Sequence, residues 1–244
     1  LPLMVDSTTT TPYLIRPFEL GADIIQHSAT KFLSGHGIVI GGLLVDSGQF
    51  DWEASGKFPT LSESYEGFHN LIFTEEFGPA AMIQRARKEG LRDFGACMAP
   101  TSAFHILQGI ETLSVRMSRH VENTRTITSF LLEQEQVTQV GYPELDGHPD
   151  QALAKELLPN GCGAVFSFDL AGGREAGIAF VDALSVFSHL ANIGDAKSLV
   201  IHPASTTHHR MDAEALAAGG IGEGTIRLSI GLEDPNDLIA DLKQ

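Results

Sequence analysis

Positive charge and cysteine are both scarce in this sequence. Its 244 residues hold 16 Lys+Arg against 31 Asp+Glu, a formal net charge of −15. A surplus of that sign argues against DNA, RNA or anionic lipid as the main partner, because neutralising phosphates takes lysine and arginine. Only two cysteines occur, Cys97 and Cys162. They lie too far apart for a metal or redox pair and read as packing residues in a reducing cytoplasm. No long apolar run is present either. The longest apolar-plus-glycine stretch, Gly35 to Val45, is broken by His36 and falls well short of the about 20 residues of a membrane helix. A basic leader with a cleavage site is missing, so no signal peptide is expected. So is an initiator methionine: Leu1-Pro2-Leu3-Met4-Val5 already reads as a strand, and the chain is expected to start inside a larger fold.

What is present is the composition of a core-forming protein, 43% hydrophobic and 19% charged. Short apolar runs bounded by polar or glycine positions predict strands over Pro2–Val5, Asp23–His27 and Ile38–Val45. The stretch Tyr13–Gly21 has room for a short helix or crossover. Residues 51–77 show weak periodicity and read as a long surface excursion. Pro79–Gly90 carries a helical stripe. Over 101–135, Phe104, Leu107, Ile110, Leu113, Met117, Val121, Thr124, Ile127 and Leu131 recur at spacings of three and four. That spacing predicts a long connecting helix, with a break possible near Gly109. Further strands are predicted over Gly163–Leu170, Ser198–Ile201 and Thr225–Ile230, and helices over Arg174–Ser185 and Pro235–Leu242. The pattern is α/β followed by α+β. Residues 1–100 form part of a large domain, 101–135 the connecting helix, and 136–244 a smaller domain.

Three segments carry candidate chemistry. In His27-Ser28-Ala29-Thr30-Lys31-Phe32-Leu33-Ser34-Gly35-His36-Gly37, a lysine follows a buried strand and precedes a glycine-rich turn. A solvated surface lysine is one reading. The other is an amine whose apolar surroundings strip its charge and suit it to Schiff-base chemistry. Ser28 and Thr30 offer donors for a phosphate, with Gly35 and Gly37 allowing close backbone approach. Asp6 ends the first strand, where ligands sit in open α/β sheets. It reads either as an Asx turn with the hydroxyls from Ser7 to Thr11, or as a carboxylate that keeps a pyridine nitrogen protonated. Arg227 lies inside an apolar strand and needs a carboxylate, from the chain or from a substrate. His202, His208 and His209 lack the helical spacing of a metal site, so no metal is expected. Lys197 reads as exposed or supporting.

Asp-x-Thr, Ser-Ala-Thr-Lys before Gly-His-Gly, and Arg-Leu-Ser-x-Gly-Leu-Glu-Asp together resemble the Cys/Met-metabolism family of pyridoxal-phosphate enzymes. Within it, Gly90–Ala96, Gln108–Leu113 and Ala191–His208 are most similar to the O-acetylhomoserine sulfhydrylase branch. The resemblance implies the carboxyl part of a fold-type I pyridoxal-phosphate transferase, with an aspartate-aminotransferase-like large domain and a smaller α+β domain. It implies pyridoxal 5'-phosphate bound by Asp6, Ser28, Thr30 and Lys31, with Lys31 as the Schiff-base lysine. It also implies Ser198 and Arg227 on the substrate carboxylate. The implied reaction is γ-replacement of O-acetyl-L-homoserine by sulfide, giving L-homocysteine and acetate in methionine biosynthesis. Cystathionine synthase or lyase, methionine γ-lyase, or an inactive truncated form stay open. The partners implied are small molecules and further copies of the chain, as in a homotetramer. The family region ahead of the segment matched by Leu1, with its phosphate-gripping turn and stacking ring, is expected to be absent.

Overall fold

The computed structural model describes residues 1–244, arranged around two sheets. The first comprises β1 (Met4–Asp6), β2 (Ile24–Ser28) and β3 (Gly42–Asp46), in that order. β1 and β2 run parallel with Val5 opposite Ile25, while β3 is antiparallel with Val45 opposite Ile25. A parallel pair needs a crossover. A helical turn over Thr11–Leu14 and a 3₁₀ turn over Pro17–Leu20 supply it. Ile24, Ile25 and His27 are buried, whereas Leu43, Leu44 and Val45 of the edge strand are exposed. The third strand starts at Gly42 rather than Ile38, because Gly35 and Gly37 turn the chain at φ 72° and 63°. Both the N–H and the carbonyl of Gly41 are tied to the Thr30 hydroxyl, outside the ladder.

The second sheet has β4 (Val137–Gly141), β5 (Val165–Leu170), β6 (Ser188–His189), β7 (Leu199–Ile201) and β8 (Thr225–Ser229), in the order β4-β5-β8-β7-β6. Only β6 and β7 pair in parallel. Arg227 stands opposite Ser167 on one side and Ile201 on the other. β5 alternates as its sequence pattern predicts, with Phe166 and Phe168 buried.

The periodic stretch over 101–135 forms two helices, α1 (Pro100–Glu111) and α2 (Leu113–Leu132). They break at Thr112, whose φ/ψ of −105°/6° is not helical. α2 buries Leu113, Met117, Val121, Thr124, Ile127 and Leu131 as the spacing predicts. α1 does not: Phe104 and Leu107 face solvent and Ile106 and Gly109 face inward. The reason is Gly109, which packs so tightly on the carbonyls of Leu33 and Ser34 that any Cβ there would overlap them. That contact fixes the rotation of the helix against the apolar stripe.

One core joins the two sheets. Phe32 and Leu33, after β2, pack with Ile106, with Met117 and Val121 of α2, with Phe166 and Phe168, and with Ile226 and Leu228 of β8. The closing helix, Pro235–Leu242, adds Leu238 and Leu242. Residues 51–77 are more than a surface excursion. Trp52, Leu61 and Phe73 build a second small core on Ile24, with Trp52 edge-on to Phe50 and Phe58 at centroid distances of 4.7 and 5.1 Å. No helix of the chain is long and apolar enough to cross a membrane.

Candidate active site

The site forms where three backbone segments meet: the turn after β2, strand β8, and the loop 191–198 between them. Lys31 sits in a five-residue π-type turn, Ala29–Leu33, that interrupts regular helix geometry at the lysine itself (φ −95°, ψ −131°). The half-buried Lys31 amine donates to the side-chain oxygen of Asn192 and meets no carboxylate. Arg227 is half-buried on β8, and its guanidinium donates to the backbone carbonyl of Asn192 at 3.2 Å. It has no carboxylate partner in the chain, although burial presses its pKa down. A half-buried planar cation with one neutral acceptor has capacity for a ligand carboxylate. Asn192 therefore bridges the amine and the guanidinium.

Asp6 and Ser28 end neighbouring parallel strands, at the carboxyl edge from which the lysine turn departs. Oδ1 of Asp6 accepts from the Thr8 N–H at 3.0 Å, the Asx turn that the hydroxyl run suggests. The Thr8 hydroxyl then accepts from the Ser28 N–H at 2.8 Å, which couples the two strand ends. Ser28 leaves its hydroxyl without a hydrogen-bond partner in the chain. Thr30 does not, since its hydroxyl accepts from the Gly41 N–H (3.0 Å) and donates to the Gly41 carbonyl (3.2 Å). Thr30 thus locks the turn, and in this geometry it has no donor left for a phosphate.

Ser198 corrects a second sequence reading. Ser198 is fully buried, away from any open surface. Its N–H and hydroxyl donate to the Glu233 carboxylate at 2.6 and 2.9 Å, and its oxygen accepts from the Gly231 N–H at 2.8 Å. It braces the start of β7 against the end of β8 instead of reaching toward Arg227. Asn192 occupies the place beside Arg227, and it was missed because a lone asparagine ahead of Gly194 reads as a turn residue. Ser198→Ala is expected to lower unfolding free energy by about 1–3 kcal/mol, because a buried N–H and a carboxylate lose their partner. An unchanged urea midpoint would contradict that bracing role. Gly35 and Gly37 allow the close approach expected of them, toward the chain's own Arg116 and Asp195.

The remaining candidates are structural. His202 is buried, with Nε2 donating to the Glu223 carbonyl at 2.7 Å and Nδ1 lying 2.8 Å from the Ser205 hydroxyl. His208 and His209 pair with Thr207 and with the Thr206 carbonyl, and no group of three or more metal-ligating side chains gathers anywhere in the chain. Lys197 points to solvent. Cys97 is exposed, and burial beside Glu144 pushes the Cys162 thiol up to about 11.

An amine and a guanidinium without carboxylate partners, a strand-edge carboxylate and a free serine hydroxyl form a set that fits pyridoxal 5'-phosphate and an amino-acid carboxylate. Comparison with known proteins supports the cofactor. The chain belongs to the pyridoxal-phosphate-dependent enzymes of Cys/Met metabolism, whose family model matches residues 1–244. It is 47% identical to the sulfhydrylase FUB7 of Gibberella moniliformis over all of its own length and 57% of that protein. It is also 47% identical to O-acetyl-L-homoserine sulfhydrylase 1 of Thermus thermophilus, over 99% of this chain and 58% of the relative. Among solved structures, a putative O-acetylhomoserine (thiol)-lyase from Campylobacter jejuni superposes with a TM-score of 0.94 at 37% identity, covering 100% of this chain and 58% of that one. That structure carries N'-pyridoxyl-lysine-5'-monophosphate. The chain thus spans under three-fifths of the length of these relatives.

Proposed function

We propose that this chain is the lysine-bearing part of an O-acetyl-L-homoserine sulfhydrylase, which replaces acetate by sulfide at Cγ to give L-homocysteine. The observation that carries this reading is the convergence of Lys31 and Arg227 on Asn192. One group is suited to covalent attachment of an aldehyde, the other to an α-carboxylate. Bound pyridoxal 5'-phosphate supplies a protonated ring that takes up charge developing at the substrate Cα. In this reading Asp6 keeps the ring nitrogen protonated and Ser28 donates to the phosphate. Arg227 and the Asn192 amide hold the α-carboxylate, which orients the Cα–H toward the Lys31 amine. As a free amine, Lys31 would carry protons between Cα and Cβ while acetate leaves Cγ and sulfide adds there. Asn192 keeps the freed amine within reach of both carbons.

The test is an assay for homocysteine and acetate from O-acetyl-L-homoserine and sulfide. The chain is supplied with pyridoxal 5'-phosphate, alone and co-expressed with the part of the Thermus thermophilus relative that it does not match. Sulfide-dependent homocysteine in the co-expressed sample is the expected result. Release of methanethiol from methionine without homocysteine synthesis would overturn the assignment in favour of a lyase, and no turnover of either substrate would favour an inactive form.

A further inference from the structure

The turn that carries Lys31 is held from below by a charge with no counter-charge. Arg116 of α2 is 5% exposed and makes no ion pair. Its Nη1 donates to the Phe32 carbonyl at 2.8 Å, and its Nη2 to the carbonyls of Gly109 (2.6 Å) and Leu33 (3.3 Å). Nε donates to the Thr112 hydroxyl at 3.2 Å. Burying a guanidinium without a carboxylate is expensive, and a methionine or leucine would fill the same space at less cost. The geometry of the turn explains the arginine. The turn ends at Gly35, which leaves helical geometry at φ 72°, so the carbonyls of Phe32 and Leu33 receive no backbone N–H. Both are buried, and a buried carbonyl without a donor costs free energy comparable to a lost hydrogen bond. A planar fork with several N–H groups reaches them and the frayed end of α1 together, which a single ammonium does not.

The glycines complete the clamp. Gly35, at φ 72°, presents its bare Cα to the Arg116 guanidinium, where any Cβ would overlap Nη1. Gly37, at φ 63°, does the same toward the Asp195 carboxylate on the opposite side. Asp195 is itself buried and accepts from the Lys197 N–H at 3.1 Å. The neighbouring Ala196 N–H donates to the Gly35 carbonyl at 2.8 Å. Gly194 lies against the backbone of Phe32, where a Cβ would sit 2.6 Å from its nitrogen. The Gly-His-Gly turn is thus pinned between α2 and the loop that also carries Asn192.

We propose that Arg116 is a positioning residue that, with Asp195 across the Gly35–Gly37 turn, fixes the backbone of Lys31 so that its amine meets Asn192 and Arg227. The proposal rests on the reading of Lys31 as the reactive amine, and its test separates the two. Arg116→Met and Arg116→Lys are compared with the unaltered chain by hydrogen exchange and by pyridoxal 5'-phosphate labelling with borohydride trapping. The lysine amine and the aldehyde condense with loss of water, and hydride from borohydride reduces the C=N bond to a stable amine that mass spectrometry locates.

In Arg116→Met the amides of residues 31–37 are expected to exchange about tenfold faster or more, while those of β5 and β8 keep their protection. Lys31 labelling relative to the exposed Lys197 is expected to fall about tenfold, and Arg116→Lys to lie between. Unchanged exchange over 31–37 in Arg116→Met would overturn the proposal and leave the Lys31 reading intact. Equal labelling of Lys31 and Lys197 in the unaltered chain would overturn the Lys31 reading, with the exchange data still deciding whether Arg116 clamps the turn. If Arg116→Met loses protection in β5 and β8 as well, Arg116→Lys decides. Selective exchange over 31–37 supports the clamp, and exchange spread evenly over the chain refutes it.

Discussion

Lys31→Ala is expected to remove borohydride-trapped pyridoxal label from the turn after β2 and to lower homocysteine formation by about 10³-fold or more, the scale of losing a covalent and proton-transferring group. The experiment uses the chain together with the missing part of a relative, since this chain spans 57–58% of the relatives' length. Stability should change little. The Lys31 side chain is half-buried and has one neutral partner, Asn192, so its loss opens no packed cavity in the core. That contrast between activity and stability distinguishes Lys31 from its neighbours Phe32 and Leu33, which are core residues. Arg227→Ala should behave differently. With the lysine intact, label persists, and the loss falls chiefly on KM for the amino-acid substrate because a carboxylate partner is missing. Retention of turnover near the unaltered level in Lys31→Ala would remove the basis for the proposed chemistry.

Part of this candidate site is legible in the sequence, and the part that is not has a physical cause. Lys31 stood out because a lysine between a buried strand and a glycine turn departs from ordinary surface usage. Arg227 stood out because arginine within an apolar strand demands a partner. Both readings concern a residue and its immediate neighbours. Ser198 and Asn192 depend instead on which way loop 191–198 folds over β8, a tertiary matter. The structure decides it through the Gly194 N–H, which donates to the Ser229 hydroxyl at 3.0 Å, and through Ser198 turning inward to Glu233. The partner of the glycine turn is hidden in the sequence for a related reason. Left-handed glycines signal close approach of something, and the sequence does not say whether that is a phosphate or the chain's own Arg116 and Asp195.

The fold shows the same division. Strands β2, β5 and β8 and the helix Pro235–Leu242 follow from alternation, from β-branched content and from a proline after the Asp234 cap, whose carboxylate accepts from the Asn236 N–H at 2.8 Å. β4, as Val-Thr-Gln-Val-Gly, and the two-residue β6 carry too little periodicity to be seen, and exist because β5 and β7 offer open edges. The exposed apolar face of α1 is the clearest case of tertiary override. A backbone contact at Gly109 outweighs the preference of Phe104 and Leu107 for burial. The net charge of −15 is likewise an average that the site contradicts locally, since Lys31, Arg116 and Arg227 cluster without forming an ion pair.

Acidification is expected to unfold the chain through His120. This side chain of α2 is fully buried, donates from Nδ1 to the Ile230 carbonyl at 2.7 Å, and packs edge-on against Phe32 at 5.3 Å between centroids. Its Nε2 has no partner. Burial lowers its pKa from 6.5 to about 4; the Ile230 carbonyl and Asp195 oppose the shift, while nearby Arg116 adds to it. The folded state therefore takes up its proton less readily than the unfolded chain. The stability this contributes is fully present above pH 6.5 and is lost as pH falls from 6.5 to about 4. The loss amounts to about 3 kcal/mol at 1.36 kcal/mol per pH unit. His27, whose pKa is also lowered by burial, acts in the same direction. Urea unfolding at pH 7.5, 5.5 and 4.5 should show a steep fall in midpoint for the unaltered chain. His120→Gln should start lower, having lost the Ile230 bond, and then decline much less over that interval. An equally steep decline in the variant would assign the acid sensitivity to other groups. Because Phe32 follows Lys31 directly, protonating His120 places a charge against the same turn that Arg116 clamps, so exchange over residues 31–37 should rise before global unfolding does.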